Sequence, residues 1–205
     1  MDDAESKTAE VIAKNIEQLE GAVDFAVGKM DTALFEAVCE VLRDKVQELG
    51  WESEFGNGFD DEPWLAPPEW RAEGEDVGGD YYLYCHLDFD GDDSNTWLAF
   101  FSGVAGRRVH LAIATNTISG KRNKKRLAQD IADDLNAVLE AGFLFDIEEF
   151  VIRVPVKLDC QKIVDGFRDD DLTGALKSLS LALDKINQAR PNLDRIAIKI
   201  KEFVV

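Results

Sequence analysis

The stretch DYYLYCHLDFDGDDSNTWLAFFSGVAGRRVHLAIATNT, residues 80–117, decides the fold. Tyr81, Leu83, Cys85, Leu87 and Phe89 fall on one side of an extended chain, and Tyr82, Tyr84, His86, Asp88 and Asp90 on the other. That alternation is the signature of a half-buried strand. Asp90-Gly91-Asp92-Asp93 supplies a turn, because Asp-Gly accepts the positive φ that a tight hairpin needs. Residues 97–102 are apolar on both sides and read as a covered, central strand. After a turn at 103–106, Val109, Leu111 and Ile113 face one way and Arg108 and His110 the other. The stretch therefore predicts a three-strand antiparallel meander.

Working outward, helices flank the meander. Residues 4–28 carry Val11, Ile12, Ile16, Leu19 and Val23 at helical spacing, which predicts an amphipathic helix that packs on the body, binds a partner or pairs with a second copy. Leu34, Val38, Val41, Leu42, Val46 and Leu49 form a second stripe, capped by Asp31 or Thr32 and ended by Gly50. Residues 51–55 suit a short strand. Leu127, Ile131, Leu135, Val138 and Leu139 make a helix that Gly142 follows, and 143–156 reads as one or two strands. A short helix through Ile163, Val164 and Phe167 comes next, and Leu172, Leu176, Leu179, Leu183 and Ile186 form the cleanest helical stripe. Beyond Pro191 the apolar residues fit a strand by Ile196, Ile198 and Ile200 and a helix by Leu193, Ile196, Ile200 and Phe203. The expected class is α+β, a twisted antiparallel sheet flanked by helices. Its expected divisions are an N-terminal helix (1–30), a binding domain (31–190) and a C-terminal tail (191–205).

Residues 56–79 interrupt the pattern. They hold Pro63, Pro67 and Pro68 and the tryptophans Trp64 and Trp70 among acids. So long a loop is expected to lie on its own domain, to contact a partner or to be disordered. If it contacts a partner, Trp64 and Trp70 are the anchors.

The 205 residues, 45% hydrophobic and 31% charged, suit an ordinary globular chain with a core of its own. No apolar run approaches a bilayer-spanning length, and MDDAESK lacks the order of a secretory signal, so no membrane role and a cytoplasmic location are expected. Cys39, Cys85 and Cys160 sit in apolar patterns and read as reduced, buried thiols. The net charge is −18, unevenly spread: −7 over residues 1–50, −13 over 51–95, +7 over 96–128 and −5 over 129–205. Such a balance repels nucleic acid and suits a basic protein partner. The run Lys121-Arg122-Asn123-Lys124-Lys125-Arg126 is expected to neutralise the acidic region rather than to bind phosphate.

Candidate chemistry is sparse. His86, Asp88 and Asp90 share a strand side with His110 nearby, a set that could ligate a transition metal but without recognisable ligand spacing. The Asp88 to Asp93 run is no EF-hand, since Asp93 stands where that loop needs glycine and Ala99 where it needs glutamate. Gly120-Lys121 lacks the earlier glycine of a phosphate loop, where Thr115 stands. The order helix, three strands, helix, strand also matches the PD-(D/E)XK nuclease core. The strands read at 97–102 and 107–113 nevertheless hold no acid, so metal-dependent cleavage lacks its residues. The expectation is no enzyme and no cofactor.

The helix from Leu34, the meander 81–115, Ala114-Thr115-Asn116 before a helix, and Gly142 to Asp146 leading through 151–156 into later helices resemble the fold shared by type III secretion chaperones and the YbjN-like family. The resemblance covers about residues 32–188 and implies a small, acidic, non-enzymatic protein that binds other proteins, often as a dimer. The functional expectation is an acidic protein-binding module of chaperone, immunity or inhibitor type. Its contact residues are expected at Trp64, Trp70, Tyr82 and Tyr84, with Asp60, Asp61, Glu62, Asp92 and Asp93 steering a basic partner. An alternative is a DNA mimic that blocks a nucleic-acid-binding enzyme. A third is a degenerate nuclease-like or metal-binding enzyme.

Overall fold

The computed structural model describes residues 2–56, 63–72, 81–91 and 96–204. Its architecture is α+β: one six-stranded antiparallel sheet, not closed, with helices against it. The strands are β1 (Glu52–Glu54), β2 (Trp64–Ala66), β3 (Tyr84–Asp90), β4 (Arg108–Ala114), β5 (Leu144–Asp146) and β6 (Val151–Val156), in the spatial order β1-β2-β3-β4-β6-β5.

β3 and β4 keep the alternation read from the sequence, but they pair directly, with Asp88 opposite His110 and His86 opposite Ala112. The expected central strand between them is instead a short helix, α4 (Trp97–Phe101). An apolar five-residue run suits a buried strand and a buried helix equally, and its period cannot separate them. Here the caps decide. Thr96 Oγ1 accepts from the Ala99 amide at 3.2 Å, and the buried carboxylate of Asp31 accepts from the amides of Trp97 and Leu98 at 3.1 and 2.9 Å. Those groups satisfy the amides that a helix start leaves unpaired. The aromatic residues then fill one cluster: Trp97 stacks on Phe101 at 5.9 Å and meets Phe35 edge-on at 5.4 Å.

Within the acidic loop at 56–79, the described residues 63–72 are more regular than expected. Residues 64–66 form β2, inserted between β1 and β3, and Pro68–Trp70 make one 3-10 turn. Trp70 is fully buried and its indole Nε1 donates to Asp194 Oδ1 at 2.8 Å.

α3 (Asp31–Leu49) and α8 (Thr173–Val204) pack on each other and cover one side of the sheet. Leu34, Val38, Leu42 and Val46 from α3 meet the stripe of α8 over Cys85, Leu87, Leu111, Ile113, Ile152 and Val154, all buried. Gly50, left-handed at φ 67°, ends α3 as the sequence implies. The C-terminal tail is not a separate element. α8 runs through Pro191, and Leu193, Ile196, Ala197 and Ile200 continue its buried stripe, so residues 191–204 belong to the body. α5 (Lys121–Asp130) and α6 (Ala132–Glu140) lie against α8, and α7 (Cys160–Asp169) turns tightly into it. That turn requires Gly166, because a Cβ there would stand 2.8 Å from the Asp171 carbonyl oxygen.

α1 (Asp3–Lys14), α2 (Ile16–Phe25) and a π-helical turn (Ala26–Met30) run in series into α3 and form an arm. Asp2 and Glu5 close a capping box at its start. Val11, Ile12, Ile16, Leu19, Val23, Phe25 and Val27 are between 41% and 60% exposed, so the stripe does not pack on the body. Cys39 and Cys85 are buried, as expected, while Cys160 is exposed. Among the described residues no helix is long and apolar enough to cross a membrane.

Candidate protein-binding surfaces

The side of the sheet away from α3 and α8 carries the group first considered for metal. His86, Asp88 and Arg153 are half-buried there and His110 is buried. The Asp88 carboxylate is taken by Arg153, which also reaches Asp146 Oδ2 at 3.5 Å and pairs with Glu149. Burial lowers the pKa of both histidines, against the nearby carboxylate of Asp88. Among the described residues no three His, Cys, Asp or Glu side chains are placed to hold a metal ion. The arrangement is an ion network that links β3, β5 and β6.

Three cations of the basic run are likewise engaged within the chain. Lys121 Nζ pairs with Glu148 Oε2 at 2.6 Å, and Lys124 Nζ donates to the carbonyl oxygens of Glu148 and Glu149 at 2.9 and 2.8 Å. Arg126 lies over the Phe203 ring at 4.2 Å. The described partners of the run are thus the β5–β6 turn and the end of α8, not residues 51–95.

The expected contact residues divide. Trp70 and Tyr82 are buried, which removes them from any contact surface; each is a large apolar side chain that the domain itself covers. Trp64 is half-buried, its ring 4.8 Å from that of Tyr81 and its Nε1 donating to Glu54 Oε2 at 3.1 Å. Tyr84 is half-buried and its hydroxyl meets Asn116 Oδ1 at 3.0 Å. Asp60, Asp61, Glu62, Asp92 and Asp93 lie outside the described residues.

Sequence reasoning missed a groove along the exposed side of α3. Two adjoining hollows, of about 250 and 330 Å³, share Thr173; the smaller lies between α3 and the α7–α8 turn, and the larger between α3 and the start of α8, where Lys45 and Lys177 also line it. Glu36, Glu40, Asp44 and Glu48 line the groove at four-residue intervals, which places them on one side of α3 over about 18 Å. Asp170 and Asp171 line the smaller hollow, where half-buried Phe167 with Ala33 and Ala37 supplies apolar surface. Glu36, Glu40, Asp44 and Asp170 have no ion pair among the described residues, whereas Glu48 holds Lys45, which also reaches Asp184 at 2.6 Å. The acid spacing was visible in the sequence as the polar side of an amphipathic helix. What the sequence did not carry was the arrival of Asp170 and Asp171 from a distant turn.

A third hollow, about 380 Å³, lies where α4 meets the ends of β4 and β6 and gathers Arg107, Arg108 and Lys157 near His110. Compared with known proteins, the chain matches no family model, no curated protein and no solved structure.

Proposed function

We propose that the protein is a non-catalytic binding module whose α3 groove takes a basic segment of another protein. The observation that carries this reading is the set Glu36, Glu40, Asp170 and Asp171 around an apolar floor at Phe167, with Asp44 continuing the α3 ladder into the adjoining hollow. A row of carboxylates alone is a solvated helix side. A row that borders a hollow with an aromatic floor supplies what an amphipathic basic helix needs, charge for its Lys or Arg and apolar contact for its other side. The net charge of −18 adds attraction at a distance. An inhibitor, an immunity protein and a chaperone would all use such a groove, and the activity of the captured partner separates them.

The test is capture from host lysate with the wild-type chain and with Glu36→Lys/Glu40→Lys, at about 50 and about 500 mM salt. The expected result is a stoichiometric protein held by the wild type at low salt, released at high salt and absent from the charge-reversed variant. Equal capture by the variant refutes the groove. Capture of nucleic acid in place of a protein refutes the acidic module altogether.

A further inference from the structure

We propose that the exposed stripe of the arm is covered by the arm of a second copy of this chain, running antiparallel, with the two bodies at opposite ends of the pair. This goes beyond the groove and does not depend on it.

The spacing comes first. Ala9, Ile12, Ile16, Leu19, Val23 and Ala26 step by three and four residues in alternation, the two seam positions of a heptad, carried by α1 up to Ile12, by α2 from Ile16 to Val23 across the break at Asn15 (φ −122°, ψ 18°), and by the π turn at Ala26. The residues flanking that seam are Thr8, Ala13, Asn15, Glu20 and Ala22, with one charge among them. Lys7, Glu10, Lys14, Glu17 and Asp24 fall on the far side of the helix. A chain of net charge −18 repels its own copy over most of its surface, so a charge-poor apolar seam is where two copies can meet. Four seam residues, Ile12, Ile16, Leu19 and Val23, are between 43% and 59% exposed in the isolated chain, and Val11 and Phe25 are exposed on the far side.

The π turn sets the direction. Its bonds span five residues, so steps of four to five residues keep one bearing, and the line Val23, Val27, Asp31 leads into Leu34, Val38 and Leu42. Those α3 residues face the chain's own body. A parallel partner helix on the stripe would therefore run into that body, whereas an antiparallel one leaves past the arm's tip. Register follows from the spacing. Facing Ile16 of one copy with Leu19 of the other also faces Ile12 with Val23 and Ala9 with Ala26, large side chains in the middle and small ones at the ends. Glu20 then faces Ala13. A slide of one heptad would set the two Glu20 carboxylates against each other, which disfavours it.

The groove lies on the exposed side of α3 and the stripe runs into its buried side, so the pair leaves both grooves open. The test uses the full chain in sedimentation equilibrium up to about 100 µM. Twice the chain mass is expected for the wild type and a single mass for Leu19→Glu, with the body's cooperative unfolding retained. For direction, Ala9→Cys and Ala26→Cys are combined in a Cys160→Ser background. Mild oxidation should link the double variant quantitatively between chains and leave each single variant unlinked. A monomeric wild type, or a Leu19→Glu dimer of undiminished strength, overturns the proposal, as does linkage of Ala9→Cys alone. None of these outcomes touches the groove, since Glu36→Lys/Glu40→Lys leaves the arm intact.

Discussion

Replacing Trp70 separates a core residue from a contact residue. Its ring is fully buried, 6.3 Å from that of Trp51, and its N–H holds Asp194 on α8 at 2.8 Å. Its carbonyl oxygen accepts from the Tyr82 amide at 2.8 Å, so this one residue joins residues 63–72 to the C-terminal helix and to the segment before β3. Truncating a buried tryptophan to alanine costs roughly 3–5 kcal/mol, the lost transfer of the ring plus the cavity left behind. At about 2–4 °C per kcal/mol for a chain of this size, Trp70→Ala should lower the Tm by roughly 6–20 °C. Trp70→Phe keeps much of the packing and loses the hydrogen bond. Asp194 retains Arg190 at 3.0 Å, so the expected cost is only about 1–2 kcal/mol. Trp64→Ala is the control, expected at about 1–2 kcal/mol because its ring is already half in water. Urea unfolding followed by far-UV circular dichroism avoids using the replaced chromophore as the probe. If Trp70→Ala unfolds within about 0.5 kcal/mol of the wild type, or Trp64→Ala costs more, the assignment of Trp70 to the core is wrong.

Asp31→Ala should cost about 1–3 kcal/mol, since it orphans the amides of Trp97 and Leu98 at the start of α4; near-ultraviolet circular dichroism of the Trp97 cluster should weaken with it, and an unchanged spectrum would deny Asp31 that role. Burial depresses the pKa of His86 and of His110 in the folded chain, so below about pH 6.5 the unfolded chain binds protons that the folded one refuses. Their contribution to stability is therefore complete above that value and is lost as pH falls. The urea midpoint of the wild type should drop between pH 7 and pH 5 more than that of His86→Gln/His110→Phe, and parallel profiles would refute the histidine origin.

What was legible in the sequence was what local pattern decides. The stripe Leu34, Val38, Leu42 and Val46 with its closing glycine is a helix wherever it packs, and the alternation of β3 and β4 survives into the sheet. The misreadings, and the choice left open between strand and helix beyond Pro191, were settled by packing that local pattern does not show. Residues 97–101 are helical because Asp31, 66 residues earlier, caps them. Residues 64–66 are a strand because β1 and β3 stand either side, a segment too short to show any period of its own. Residues beyond Pro191 stay helical because Leu193, Ile196 and Ile200 extend a stripe already buried upstream. Trp70 looked like a contact residue from its Pro-rich surroundings, and only Asp194 on α8 reveals it as core. The groove was half legible: the α3 ladder is in the sequence, the opposing Asp170 and Asp171 are not.

The two proposed surfaces differ in the physics that would hold a partner, and that difference separates them in one experiment. Much of the polar surface is already answered internally: Lys121 and Lys124 on the β5–β6 turn, Arg153 on Asp88, Arg190 on Asp194 and Glu69. The unanswered charge at the groove is Glu36, Glu40, Asp44 and Asp170 against one lysine, Lys177, all exposed, and attraction to exposed charge is screened within about 8–10 Å at ordinary salt. The arm seam has almost no charge to screen, and its driving force is apolar area removed from water. Raising salt should therefore release a basic partner from the groove while leaving the arm pair intact, or tightening it as repulsion between two acidic chains is relieved. A pair that dissociates with rising salt would mean that charge, not Ile12, Ile16, Leu19 and Val23, holds it together.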